Sequence, residues 1–427
     1  MGNTYRITEY GSFVAEKKIE GFVSLPQHTF DALEAFILTN RSNDSDALEL
    51  LTLSAKKNIG KVITAKNYVG VISMTDGTTI EILPKLYSTE AFTEAAVKKL
   101  LINMLRSLKE SPYKTFQTSN VSIDNMNIFE VFIRMFVNEV LYIEKRGLRY
   151  GYQTVQRNES VFKGKLIVSE HIKRNFAHKE RAVVEYDEFN KNRPENRLIK
   201  STLQYLNRCS KNTKNRADIK NLLNSFSEVD DSSNISEDFS KCVSDRNMTD
   251  YTVALMWCKV FLLGKTFTTF AGSEIAVALL FPMNTLFESY VAQKLRKVLD
   301  AKDYYVMTQD KRFHLFDNPR QFLIKPDIVV KSKNDGSLFI LDTKWKLLSA
   351  SKTNYGISQA DMYQMYSYQK KYGAKTIYLL YPTTDSLGCD KYFSFKSNDN
   401  VTVTVRFIDL LDLKTSLESL KDDILNQ

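Results

Sequence analysis

Lys325-Pro326-Asp327-Ile328-Val329-Val330, the turn Lys333-Asn334-Asp335-Gly336-Ser337, and Leu338-Phe339-Ile340-Leu341-Asp342-Thr343-Lys344-Trp345 decide the fold of the C-terminal part of the chain. Two β-rich runs joined by Asn, Asp, Gly and Ser predict a hairpin, with strands over residues 322–330 and 338–345. Side chains alternate along a strand, so Asp342 and Lys344 face the same side of the sheet. The turn brings Asp327 alongside them. Two carboxylates converging at strand ends suit a hard cation such as Mg2+, with water completing its shell. A lysine beside the ion can position a water or help to deprotonate it. The ion lowers the pKa of that water and stabilises charge on a phosphoryl group. This is equipment for phosphodiester hydrolysis.

An Asp-x-Lys strand by itself is a common polar face. Its neighbours give it weight. Upstream, residues 283–299 have a helical stripe that includes Leu286, Tyr290, Leu295 and Val298, and this helix carries Glu288. Downstream, Ser358 opens a helix over 359–372 with Asp361 in its first turn and Gln364 beyond it. Short strands follow at 377–381, ended by Pro382, and at 401–408, and a closing helix spans 410–425. The expected architecture is α/β, a central mixed sheet flanked by helices.

The preceding part is read as β-rich and helical, which makes the whole chain a multi-domain α+β protein. Residues 30–38 have helical spacing. Residues 68–74 and 78–83 flank Asp76-Gly77 as a β-hairpin ended by Pro84. Helices are expected over 89–109, 127–145 and 196–206, and a buried one over 249–263. Residues 150–190 read as short strands broken by Gly151 and Gly164, and 225–240 as an exposed loop. For 427 residues, at about 150 per domain, two or three domains are expected, and the division read is 1–145, β-rich and helical; 146–270, a basic strand and helical region; and 271–427, the α/β unit that holds the Asp-x-Lys strand.

Composition narrows the classes further. With 43% hydrophobic and 26% charged residues the chain has material for real cores. No apolar run reaches the ~20 residues of a membrane span, and the N-terminus has no apolar signal region. The four cysteines and four histidines are scattered without zinc spacing. A reducing cytoplasm is the expected location. The formal charge is +9, and residues 145–181 hold +7 of it, from ten basic and three acidic side chains. Tyr150, Tyr152, Phe162 and Phe176 interleave with those charges. Basic groups neutralise phosphates and aromatic faces stack on bases, so Lys145, Arg146, Arg149, Lys163, Lys165, Lys173 and Arg174 are candidate DNA-binding residues. A solvated basic face with core aromatics is the alternative.

The ordered set Glu288, Asp327, Asp342, Lys344, Gln364 resembles the PD-(D/E)xK nuclease superfamily. Asp342 stands where many members have Glu. The resemblance narrows to the McrC family through Gly77-Thr78-Thr79-Ile80-Glu81-Ile82-Leu83-Pro84-Lys85, Arg146-Gly147-Leu148-Arg149-Tyr150-Gly151-Tyr152, Phe162-Lys163-Gly164-Lys165-Leu166, Pro194-Glu195-Asn196-Arg197 and Pro282-Met283-Asn284. Asn192 and Arg193 depart from the family's frequent Asp, and no role is carried onto them. The resemblance implies a PD-(D/E)xK fold at 271–427. It also implies a DNA endonuclease subunit of an anti-phage restriction system, with Asp327, Asp342, Lys344, Glu288 and Gln364 catalytic. Asp327 and Asp342 would bind Mg2+, which Mn2+ can replace. The implied partners are double-stranded DNA, with modified cytosine a candidate target, and a McrB-like hexameric AAA+ GTPase that the N-terminal part docks on and stimulates.

Gly264-Lys265-Thr266 looks like the end of a P-loop, but Lys259 stands where the motif needs its first glycine. Nucleotide hydrolysis is therefore expected of another chain. Three readings follow: a partner-dependent endonuclease subunit, a non-catalytic activator of the NTPase, and a stand-alone type II-like restriction enzyme. The intact carboxylates and lysine favour the first.

Overall fold

The structure, a computed structural model, describes residues 3–39, 41–42, 45–46, 50–74, 76–86, 93–108, 126–242, 249–263, 275–384, 386–388 and 390–425. Gly264-Lys265-Thr266 lies outside the described residues.

The N-terminal part is built on two four-stranded sheets. One orders Thr4–Thr8, Thr79–Leu83, Tyr68–Met74 and Ile275–Pro282; the other orders Phe22–Leu25, Ser12–Ala15, Gly60–Ala65 and Leu51–Lys56. The expected hairpin forms, with Ile72 opposite Ile80, and Gly77 at its turn has φ +79°. The helix Gln27–Thr39 packs with both sheets through Phe30, Leu33, Phe36 and Ile37.

The strand Ile275–Pro282 falls within the stretch assigned by sequence to the catalytic domain. It pairs instead antiparallel with Tyr68–Met74, so sheet pairing joins it to the N-terminal part. Gly70 makes this possible: a Cβ there would sit 2.0 Å from the Leu279 carbonyl oxygen. An all-apolar strand carries no periodicity that names its partner.

Helices Glu94–Leu105, Ile128–Arg146, Pro194–Cys209, Thr213–Ser225 and Thr249–Leu263 share one hydrophobic core with the outer face of the C-terminal sheet. Two expectations change here. The acidic stretch read as a loop contains the helix Ile235–Lys241, capped by Asn234, whose side chain accepts from the Glu237 N–H at 3.2 Å. Its Asp238 is buried against Arg197 at 2.6 Å. A second helix, Val168–Arg174, interrupts the strands of the basic region. Both are seven residues long, too short to show a stripe.

The C-terminal sheet has six strands in the order Tyr304–Thr308, Ile328–Ser332, Leu338–Thr343, Thr376–Pro382, Thr402–Ile408, Tyr392–Lys396. It is mixed, as expected: antiparallel from Tyr304–Thr308 to Leu338–Thr343, parallel through Thr376–Pro382 to Thr402–Ile408. The run 322–330 is not one strand. Arg320–Leu323 pairs with His314–Asp317 in a separate ribbon, Phe322 has φ +60°, and Pro326 lacks an N–H for a ladder. The helices Met283–Val298 and Leu413–Leu425 cover one face of the sheet. The helix Gln359–Tyr372 covers the other through Met365, Tyr368 and Tyr372.

Candidate active site

Ile328 pairs with Leu341, and one further step of that register sets Asp327 across from Asp342. Phe339 and Leu341 enter the core beneath Met283–Val298, whereas Ile340 enters the core under Gln359–Tyr372. Asp342 alternates with Leu341, so it faces the latter helix. Lys344 keeps that alignment beyond the strand's end because its N–H donates to the Leu380 carbonyl at 2.9 Å.

Asp342 is buried and its Oδ2 lies 2.7 Å from Lys344 Nζ. Burial, then the charge of Asp327, push the Asp342 carboxyl up to about 7. Asp327 is also raised by burial, against the pull of Thr343, whose N–H and hydroxyl both donate to its Oδ2 at 2.8 Å. Burial alone would lower the Lys344 ammonium. Asp342, Asp327 and Asp361 together hold it above the ordinary lysine value.

A hydrogen-bonded chain fixes the lysine. Lys344 Nζ donates to Gln364 Oε1 at 3.1 Å, and Gln364 Nε2 donates to Tyr368 Oη at 2.6 Å. The Tyr368 hydroxyl donates to the Lys325 carbonyl at 3.1 Å, two residues before Asp327. Asp361 stands 4.0 Å from Lys344. Residues 361, 364 and 368 share a helix face at spacings of three and four. Ser358 caps this helix, its Oγ accepting from the Asp361 N–H at 3.1 Å.

Glu288 is placed differently from the other sequence-derived residues. Among the described residues no group of three or more His, Cys, Asp or Glu side chains is arranged to hold a metal, so Glu288 does not complete a three-carboxylate cage. It lines an adjoining cavity of about 450 Å³ with Gln309, Arg296, Thr308, Ser289 and Lys325. Gln309 links the two places. Its side-chain amide donates to Glu288, and its backbone N–H donates to the Asp327 carbonyl at 2.9 Å. Gln309 adopts φ +53°, a left-handed conformation that few side chains adopt outside a constrained site.

Thr343, Asp361, Tyr368 and Gln309 were not among the residues singled out by sequence for a direct role. Tyr368 lies one helical turn from Gln364, a usable signal. Gln309 has none, since its contacts exist only once the sheet has formed.

Lys163, Lys165, Lys173 and Arg174 lie on or beside a three-stranded sheet, Lys145 and Arg146 end the helix Ile128–Arg146, and Arg149 lies between the two. Gly151–Glu159 pairs antiparallel with Ala182–Asn190, and Lys165–Leu166 joins its far side. No residue of Gly151–Glu159 is buried. The aromatics are not core residues: Tyr150, Tyr152 and Phe162 are exposed, and Phe176 is 86% exposed. Phe189 stacks on Tyr150 with centroids 5.5 Å apart and contacts Tyr152 at 5.0 Å. Lys163 sits 3.7 Å over the Tyr186 ring. Arg146 and Arg149 each approach Asp250 at 3.3 Å, and Lys173 and Arg174 share Glu170 at 3.0 and 3.2 Å. Lys145 and Lys165 are exposed. Solvent screens pairs of this kind, so their cations can be exchanged to a phosphate.

Residues 63–382, which are 320 of the chain's 427, match the family model described as McrBC 5-methylcytosine restriction system component. The chain belongs to the McrBC family. No curated protein matches it. Among solved structures, this McrBC family member is similar to a chain of a refined half-complex from a tetradecameric assembly of Thermococcus gammatolerans McrB AAA+ hexamers with bound McrC. The TM-score is 0.69 at 19% identity, covering 99% of this chain and 100% of that one. A chain of the cryo-EM structure of the Thermococcus gammatolerans McrBC complex gives a TM-score of 0.46 at 20% identity, covering 70% of this chain and 90% of that one. The first likeness extends the shared fold over nearly the whole McrBC-family chain. Among the described residues, no helix is long and apolar enough to cross a membrane.

Proposed function

We propose that this McrBC-family protein is the DNA endonuclease subunit of a restriction system and that it works with a McrB-like hexameric AAA+ GTPase, which it stimulates. One observation carries the catalytic reading: Asp342 and Asp327 are pressed together in a buried setting, and Lys344 lies 2.7 Å from Asp342.

Two crowded carboxylates of raised pKa suit a divalent cation, which relieves their repulsion. Mg2+ is held in such sites through one or two carboxylates plus water and substrate phosphate, so two protein carboxylates suffice. Asp327 and Asp342 would hold Mg2+, with Mn2+ able to replace it. When bound, the ion supplies charge neutralisation at the scissile phosphate and a more acidic water. The protein's own share is positional. Thr343 orients Asp327, and Gln364 with Tyr368 holds the Lys344 ammonium toward Asp342. Lys344, kept protonated by its acidic neighbours, places a cation where charge develops on the phosphate. Glu288 acts from the adjoining cavity through Gln309.

Double-stranded DNA, with modified cytosine as target, is the substrate proposed. The basic region is its proposed grip, through Lys145, Arg146, Arg149, Lys163, Lys165, Lys173 and Arg174. The McrB AAA+ hexamers named for the similar assembly support the choice of partner.

The test is cleavage of modified DNA by the purified protein with and without a McrB-like partner, GTP and Mg2+. Cleavage should need the full mixture and vanish with Asp342→Ala or Lys344→Ala. Cleavage that survives either substitution would refute the assignment. A wild-type protein that raises the partner's GTPase rate but never cuts would establish the activator reading instead.

A further inference from the structure

Glu9 belongs to the N-terminal part, just after the strand Thr4–Thr8, and only 1% of it is exposed. Its backbone N–H donates to the Leu83 carbonyl at 3.0 Å, so it is anchored to the hairpin Tyr68–Leu83. Its Oε1 accepts from the Lys85 N–H at 2.9 Å and from Trp345 Nε1–H at 2.6 Å. Oε2 is buried without a hydrogen-bond partner among the described residues. Burial raises the carboxyl to about 7, although Lys85 and Trp345 both pull it down.

A buried carboxyl with one oxygen unsatisfied is a costly way to fill space; an apolar side chain would cost less. What this one gains is a fixed connection across 336 residues of sequence to the residue that follows Lys344. Trp345 is otherwise held by packing, edge-on to Phe287 with centroids 5.4 Å apart. Packing alone leaves freedom of rotation and slide, whereas a short hydrogen bond fixes direction. The strand has already ended at Thr343, and beyond it Lys344 has two backbone bonds: its N–H donates to the Leu380 carbonyl and its carbonyl accepts from the Lys346 N–H, both at 2.9 Å.

We propose that Glu9 is a positioning residue for the nuclease centre: through Trp345 it sets the backbone that presents Lys344 to Asp342, which makes the N-terminal part a component of the catalytic geometry. This rests on the nuclease reading above. It gives the N-terminal part a direct mechanical hold on the catalytic strand, separate from any role in partner binding.

The test compares Trp345→Phe, Glu9→Ala and Glu9→Gln in the full chain, assayed with the McrB-like partner, GTP and Mg2+. Trp345→Phe keeps an aromatic ring against Phe287 and loses the N–H together with one ring of the indole, so it is read beside Glu9→Ala, which leaves the indole whole. Trp345→Phe should lower kcat for cleavage about tenfold or more with KM for DNA unchanged, while stimulation of the partner's GTPase stays intact. Glu9→Ala should do the same, and Glu9→Gln, which retains an acceptor oxygen, should restore most of the rate. Wild-type cleavage with an unaltered kcat in Trp345→Phe overturns this inference alone. A parallel fall in GTPase stimulation also overturns it, because the bond would then serve the fold at large. No cleavage by the wild type overturns the nuclease reading itself.

Discussion

Thr343 gives both of its donors, the backbone N–H and the hydroxyl, to one oxygen of Asp327, each at 2.8 Å. The residue between the two motif positions Asp342 and Lys344 therefore aims the third. Thr343→Val preserves the shape and removes the hydroxyl donor. It should lower cleavage by about 10- to 100-fold and cost roughly 1.5–3 kcal/mol of stability, as expected for a bond to a charged group. Thr343→Ser should retain both. Steady-state cleavage and urea unfolding of the two variants check this, and equal loss in Val and Ser would remove the hydroxyl from the account.

Metal affinity should depend on pH. Asp342, raised to about 7 by burial and by Asp327, must lose its proton to bind a cation. Mg2+ affinity is expected to rise about tenfold per pH unit below pH 7 and to level off above it. Calorimetric titration between pH 6 and about 8.5 reads this directly; a flat profile would contradict the assignment of Asp342 as a ligand.

Without metal, the same carboxyl acts on stability with the opposite tendency. Its folded value exceeds the ordinary 3.8, so the protonated form favours the fold. That contribution is complete below about pH 4 and is lost as pH rises through about 7. In EDTA, Asp342→Asn should flatten this dependence and stabilise the fold at pH 8 by about 1–3 kcal/mol. Urea midpoints at pH 5 and 8 for the two proteins test it.

Gln309 carries a left-handed backbone at φ +53° and joins Glu288 to the Asp327 carbonyl. Gln309→Gly should be about 1 kcal/mol more stable than Gln309→Ala, because glycine tolerates that φ. Both should lose cleavage, since neither can donate to Glu288. Activity surviving in the glycine variant would show that the backbone contact alone suffices.

Charge reversal at Lys163, Lys165, Lys173 and Arg174 should weaken DNA binding and reduce its salt slope by about 0.9 for each phosphate contact removed. Unchanged binding isotherms from 50 mM to about 200 mM salt would take the DNA grip away from this unit.

Asp327, Asp342 and Lys344 could be found in the sequence because hairpin chemistry and strand alternation are local. Asp-Gly turns and a period of two put these residues on neighbouring strands before any tertiary contact is considered. Gln364 was legible for a similar reason, since Ser358 and Asp361 mark a helix start. Glu288 was legible as a helical acid, but not its position beside a cavity. The pairing partner of the strand Ile275–Pro282 was not legible, because eight apolar residues in a row fit any buried sheet. The helices Val168–Arg174 and Ile235–Lys241 escaped because they are each two turns long.

The sequence by itself determined the mixed α/β C-terminal unit and its carboxylate–lysine pattern, because those follow from residue spacing and turn chemistry. It also located the positive charge, but not that the aromatics among those charges face solvent. Tertiary structure alone decided the rest: Gln309 between Glu288 and Asp327, Tyr368 between Gln364 and the Lys325 carbonyl, and Glu9 reaching Trp345. Each includes a hydrogen bond between residues on different elements. Such bonds depend on how whole sheets and helices pack, and packing is fixed by summed apolar burial and shape, not by the spacing of any one segment.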